Sequence, residues 1–303
     1  MAPRADLAPV EADRPRWIEK ARAALIGASQ IDRRAIYLLV LAAVAIPTFL
    51  AVPTRVPPTA SVEAVYTRIE ALPPRSLVWV PFDLWASNRA EVGPGALAVM
   101  RHLMRRGHRI VATSLIPDGV SISEAVMGKA AAETGRTYGT DWVVLGYKAG
   151  NATVIKQACG SLPAAFPVDI HHTPLDQLPL TRDLRNMRQA ALVFVVCDNN
   201  LFDGYAAIAA TENKMKVAGI TNAVMVPILT PYVNAGQITG LLGGLRGGAE
   251  YESLTGIAGD ATAGMTAQSV MHLLLMGLIV TANASYAAER AGRRGRRGPN
   301  ANA

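Results

Sequence analysis

Residues Ala35–Val52, AIYLLVLAAVAIPTFLAV, run for 18 residues without a charge, directly behind Arg33 and Arg34. Coiled as a helix at about 1.5 Å per residue, the run reaches roughly 27 Å, close to the hydrocarbon thickness of a bilayer. A buried core helix has similar residues, but an uncharged run of this length behind two arginines reads as a transmembrane helix. Pro47 is tolerable near its end, where few backbone hydrogen bonds are lost. A second apolar stretch, Ser269–Ala288 (SVMHLLLMGLIVTANASYAA), reads as a second span. Its Gly277, Thr281 and Ser285 recur every four residues, a small polar stripe suited to helix packing. His272 and Asn283 are costly in lipid and are expected to face protein or the interface.

Charge then assigns sides. The chain of 303 residues carries a net +7, and this resembles a nucleic-acid signal until it is located. Residues 1–34 hold seven Lys/Arg against five Asp/Glu, and residues 288–303 hold five Arg against one Glu, so the tails supply +2 and +4. No nucleic-acid footprint survives between them; the basicity is a topology signal. Positive flanks stay inside, which predicts cytoplasmic termini, an extracytoplasmic middle and a location in the cell (inner) membrane. The domains expected are a basic tail 1–34, a span 35–52, a linker 53–60, a domain 61–256, a linker 257–268, a span 269–288 and a tail 289–303. Arg14–Ser29 in the first tail reads as an amphipathic helix, with Trp17, Ile18, Ala21, Leu25 and Ile26 on one face. It either lies in the headgroup layer or is simply solvated. Arg33–Arg34 is a faint echo of a twin-arginine signal, but an uncleaved anchor fits better.

The middle alternates short apolar runs with helical patterns. Strands are expected at Leu77–Phe82, Arg109–Leu115, Trp142–Gly146, Ala190–Val196 and Lys216–Ile220. Helices are expected at Val62–Leu72, Gly95–Arg106, Ser121–Gly135, Asn151–Cys159 and Leu201–Asn213. Continuously apolar strands separated by helices imply a parallel sheet covered on both faces. The fold class is therefore α/β, a doubly wound and mostly parallel sheet of Rossmann or flavodoxin type, flanked by two transmembrane helices. Gly160–Arg188, rich in Pro and polar residues, breaks the rhythm as an excursion over the sheet.

In such sheets ligands bind beyond the carboxyl ends of the strands. Those ends supply Asp83, Ser114, the Tyr147-Lys148-Ala149-Gly150-Asn151 turn, Cys197-Asp198-Asn199 and Thr221-Asn222. Tyr147, Lys148, Gly150 and Asn151 are candidates for an anion, because free N–H groups at a helix start sit beside a lysine. Asp83 and Asp198, with Asn199, suit an acid/base couple or a cation if they converge; capping accounts for each equally well. GYKAGN is neither a Walker loop nor a dinucleotide fingerprint, and GxSxG, HExxH and a clustered metal set are absent from the sequence. No catalytic residue, metal or cofactor is assigned. His171–His172 reads as a surface loop, since neighbours on an extended strand point opposite ways. Cys159 and Cys197 are either bridged or two buried free thiols.

Gly236–Gly248 (GQITGLLGGLRGG) places Gly240, Gly244 and Gly248 four residues apart. On a helix they would form a smooth packing face; in a loop, backbone N–H groups for a ligand; otherwise a flexible connection. The intervening leucines favour the packing face. The anchor, LGYKAGN, GQITGLLGGLRGGAEYE and GMTAQSVMHLLL together resemble a family of uncharacterised prokaryotic membrane proteins, over most of residues 35–288. The resemblance implies an α/β domain between two transmembrane helices and lends no catalytic residues.

Two functions follow as expectations. The first is a non-catalytic scaffold or interaction subunit of an oligomeric membrane complex. It would use Gly240, Gly244, Gly248, Gly277, Thr281 and Ser285 as interface, with the lipid bilayer and other copies or membrane subunits as partners. The second is an extracytoplasmic sensor or enzyme for a small anionic ligand at the strand ends.

Overall fold

The structure, a computed structural model, describes Lys20, residues 32–50 and residues 56–296. The amphipathic helix expected at Arg14–Ser29, apart from Lys20, and the tail beyond Arg296 lie outside the described residues. The chain divides into two compact units, one of residues 51–266 and one of residues 1–50 with 267–303.

The larger unit is built on a six-stranded sheet in the order β3-β2-β1-β4-β5-β6, with every described pairing parallel. The strands are β1 Leu77–Asp83, β2 Arg109–Ser114, β3 Trp142–Tyr147, β4 Leu192–Cys197, β5 Val217–Thr221 and β6 Ile238–Gly243. This is the Rossmann order, and it reverses between β1 and β4. The helices of this unit are α2 Ala60–Glu70, α3 Arg89–Arg105, α4 Pro117–Thr134, α5 Ala152–Gly160, α6 Val226–Asn234 and α7 Gly244–Thr255. A π-helix, Tyr205–Glu212, continues a single turn at Leu201–Gly204.

Alternation along the strands divides the core into two layers. Trp79, Val111, Val143, Val193, Val195 and Cys197 face a layer that includes α5 and the π-helix. Val78, Val80, Phe82, Ile110, Phe194 and Ile220 face α2, α3, α4 and α7. The expected excursion is part of the first layer: Leu162, Phe166, Leu175, Leu184 and Met187 are buried in it. It is pinned by Tyr138, whose hydroxyl donates to Asp169 at 2.9 Å, and by Leu180 N–H to Gly139 O at 2.9 Å.

Two helices start earlier than the sequence suggests. α3 begins at Arg89 rather than at the expected Gly95 and runs through Pro94. α4 opens on Pro117, whose missing N–H costs nothing in a first turn, and it closes on Gly135 at φ 67°. Ser121 is therefore inside α4 and donates to Asp118 O. The largest difference lies at 236–248, where β6 and the start of α7 replace a single glycine-rich helix.

The other unit contains α1, Arg33–Leu50, and most of α8, Asp260–Arg296. Among the described residues one helix is long and apolar enough to cross a membrane, and it is α8 over Asp260–Arg290. α1 does not count as a second. Residues 260–268, expected in a linker, are the first turns of α8. Leu273, Met276, Ile279, Val280 and Tyr286 on α8, and Tyr37, Leu38, Leu41 and Phe49 on α1, are exposed.

Candidate functional site

Where the strand order reverses, the carboxyl ends of β1 and β4 stand side by side, with Asp83 opposite Cys197. Asp83, the last residue of β1, is fully buried. Its Oδ1 accepts the Leu115 N–H at 2.6 Å and its Oδ2 accepts the Tyr205 hydroxyl at 2.7 Å. Asp198 is buried beside it, its Oδ2 accepting from Asn88 Nδ2 at 2.7 Å and Trp85 N–H at 3.3 Å. Asn199 closes the arrangement, with Nδ2 2.9 Å from both Asp198 Oδ1 and the Asp83 carbonyl. Of the expected site residues, the fold thus brings together Asp83, Asp198 and Asn199.

Burial sets the electrostatics. Desolvation raises the Asp83 carboxyl from 3.8 to about 6, against the lowering effect of the Leu115 and Tyr205 hydrogen bonds; the Asp198 charge adds to the rise. Burial also pushes the Tyr205 hydroxyl and the Cys197 thiol well up, with the Asp83 charge contributing to both. Asp83 is thus a buried carboxyl that keeps its proton to a higher pH than an exposed aspartate would. Cys197 donates to Asn199 O at 3.3 Å, and both cysteines are free and buried, which answers the question of a bridge.

Tyr147, Lys148, Gly150 and Asn151 lie elsewhere along the edge. They follow β3, which β2 separates from β1, so they sit about 10 Å along the sheet from Asp83. Lys148 N–H donates to Ser114 O at 2.9 Å, and its side chain has no ion-pair or hydrogen-bond partner among the described residues. Gly150 takes φ 127°, a backbone state that glycine tolerates, and Asn151 precedes α5 without a side-chain cap. The two carboxylates and the lysine turn do not form one cluster.

The glycine expectation needs correction. Gly240 is in β6, Gly244 begins α7 and Gly248 lies within it, and all three are buried inside the α/β unit. A methyl group on Gly240 would strike α2 at Val65 N, 2.9 Å away, and one on Gly248 would strike the Gly95 Cα of α3, also at 2.9 Å. Their smallness serves packing within the chain, so they offer no face to a partner. Gly277, by contrast, has open space around it. Thr281 and Ser285 turn their hydroxyls back to the carbonyls of Gly277 and Thr281, each at 2.8 Å.

Sequence reading missed three working side chains. Glu252 is buried and caps the start of α8, accepting from Gly259 N–H (2.9 Å), Ala261 N–H (3.1 Å), Thr262 N–H (2.8 Å) and Thr262 Oγ1 (2.6 Å). Glu250, also buried, does the same for α2, accepting from Thr59 N–H at 3.0 Å and its hydroxyl at 2.8 Å. His102 stands between Glu70 Oε1 at 2.6 Å and the Tyr251 hydroxyl at 2.7 Å. Burial lowers its pKa despite Glu70, which favours a neutral ring donating from Nε2 to Glu70 and accepting from Tyr251. An open cleft of about 400 Å³ runs between α3 and α4, with Arg89, Leu97, Val126, Lys129 and Asp260 on its walls.

Fold and edge together define a doubly wound, all-parallel α/β unit with the Rossmann strand order. No family model matches the chain, and no curated protein matches it. A solved structure described as the crystal structure of AibC is similar at 15% identity with a TM-score of 0.26, over 77% of this chain and 50% of that one. The chain spans about half the length of that structure, and a likeness this low carries no argument about activity.

Proposed function

We propose that the protein is a membrane-tethered α/β scaffold that presents its Rossmann-like unit to other membrane subunits, with α8 as its principal tether. One observation carries this: α8 holds an apolar stretch long enough to span a bilayer, and its large side chains, including Leu273, Met276, Ile279 and Val280, are exposed. Leaving such a helix in water would cost on the order of 1–2 kcal/mol per large apolar side chain, which lipid or a partner helix relieves. α1 serves as a second span in this reading, and positive flanks put both termini in the cytoplasm. Gly277, which is exposed, and the half-buried Thr281 one turn on supply the small face for close helix association, whereas Ser285 is already buried.

The alternative, a small anionic ligand at the strand ends, fits less well. Asp83 and Asp198 have their oxygens engaged internally and carry the wrong sign, and Lys148 stands apart from them. The scaffold reading is tested on membranes from cells expressing the full chain. After an alkaline carbonate wash the protein stays in the pellet. In detergent, Gly277→Leu shifts it to smaller species on sizing while its circular dichroism is unchanged. Release by the wash refutes the tether, and a monomeric wild type refutes assembly through the stripe.

A further inference from the structure

We propose that the cleft between α3 and α4 binds a small zwitterion with an apolar side chain, of the class of a free α-amino acid. Every residue that lines it belongs to the α/β unit, so the site stands independently of the membrane tether. The cleft measures about 400 Å³, within the range of small-molecule pockets. Arg89, Ala90, Gly93, Pro94 and Leu97 form one wall, at the three- and four-residue spacing of a single helix face. Ala125, Val126 and Lys129 of α4 form the facing wall, and Asp260 also borders the cleft.

The two residues that a helix tolerates least, Gly93 and Pro94, stand side by side on this wall in the interior of α3. Packing does not call for the glycine. Beyond its own helix backbone, a methyl group at Gly93 would meet only Arg89 Cγ at 3.6 Å, an ordinary contact. At Gly95 a methyl group would come within 3.0 Å of the Gly248 Cα. Smallness at 95 therefore serves the core, whereas at 93 it opens the cleft. Pro94 has no N–H, so the Ala90 carbonyl lacks its helical donor four residues on, and both residues line the cleft. Local choices that weaken an element without a packing gain mark functional positions.

Charge narrows the ligand. The exposed Arg89 has no ion-pair or hydrogen-bond partner among the described residues. Lys129 is paired with Asp260 at 3.0 Å. Asp118 stands at the Ala86 end of the cleft, where it accepts the Ala86 N–H at 2.9 Å and keeps its charge. Glu91 reaches instead to the Ala223 N–H at 2.7 Å, and Glu133 is paired with Arg101 at 2.6 Å. Arg89 and Lys129 against Asp118 and Asp260 leave no net charge, which favours neither a bare anion nor a bare cation. A ligand with both signs fits. Its carboxylate pairs with the Arg89 guanidinium, its ammonium donates to the Ala90 carbonyl, and its side chain lies against Pro94, Leu97, Ala125 and Val126.

The test is calorimetric titration of the detergent-solubilised full chain with L-leucine and L-phenylalanine. Both are expected to bind at millimolar concentration or below. Isocaproate, which lacks the ammonium of leucine, and isoamylamine, which lacks its carboxylate, should bind at least tenfold more weakly. Gly93→Leu fills the cleft and should abolish binding with an unfolding midpoint equal to or above that of wild type. Arg89→Gln, at an exposed position, should weaken leucine about tenfold without touching the fold, which keeps the test open if Gly93→Leu does not fold. Wild type that binds neither amino acid at millimolar concentration overturns the proposal. So does isocaproate binding as tightly as leucine, leucine binding retained by Gly93→Leu, or unchanged affinity in Arg89→Gln. None of these outcomes moves retention in the membrane pellet, so failure here leaves the tether standing.

Discussion

Asp83 sits where a dinucleotide-binding sheet would receive its ligand, yet its two oxygens are occupied by Leu115 and Tyr205 and none of it is exposed. Its position at a strand end was legible in the sequence, as were those of Asp198 and Asn199. Its partner Tyr205 was not, because the tyrosine arrives from a π-helix 122 residues away whose register follows no 3.6-residue pattern. The consequence is a pH dependence of known sign. The folded state holds the Asp83 proton up to about pH 6, whereas the unfolded chain releases it near 3.8. Stability therefore falls as pH rises from about 4 to 6 and bears a constant cost above that, up to about 3 kcal/mol. Asp83→Asn keeps an acceptor for Leu115 and can donate to the Tyr205 oxygen. Its unfolding midpoint at pH 7.5 should equal or exceed that of wild type, with a flattened slope between pH 4 and 6. A large loss of stability at pH 7.5 would show that the carboxylate is needed in its charged form.

At the scale of elements, α7 organises more than its length suggests. Glu250 and Glu252 face the starts of α2 and α8, so a single turn of helix fixes two others by satisfying N–H groups at their positive ends. Glu252→Gln removes the charge and half of the acceptors, and a loss of about 2 kcal/mol is expected in chemical unfolding of the detergent-solubilised chain. An unchanged midpoint would mean that α8 needs no such cap. The glycines of this region carry a second lesson. Their four-residue spacing suggested one helix, but β6 takes Gly240, and Gly244 at φ 54° makes the turn into α7. Spacing alone could not separate a helical face from a strand-to-helix junction, since α2, against which Gly240 packs, lies some 180 residues earlier. Gly248→Val should destabilise the α/β unit by about 1–3 kcal/mol through the contact with Gly95, with no change in oligomer size. A change in size with stability intact would restore the interface reading.

At the scale of the whole molecule, strands, helices and the parallel sheet could be read from apolar periodicity, because strands buried on both faces leave continuous hydrophobic runs. The strand order could not, and neither could the excursion's place in the core, where polar and Pro-rich sequence still buries Phe166, Leu175 and Met187. Which residues meet at the order reversal depends on topology, so Lys148 and Asp83 looked equally eligible although β2 separates their strands. The apolar stretches were the plainest signal in the chain, and the proposed topology, an α/β unit outside the cytoplasmic membrane with the basic tails inside, depends on them. The direct measurement is thiol labelling of spheroplasts with a membrane-impermeant maleimide, comparing His171→Cys in the exposed excursion with Asn300→Cys in the tail. The account predicts that His171→Cys reacts on intact spheroplasts and Asn300→Cys only after permeabilisation. Reaction of His171→Cys only after permeabilisation would contradict it.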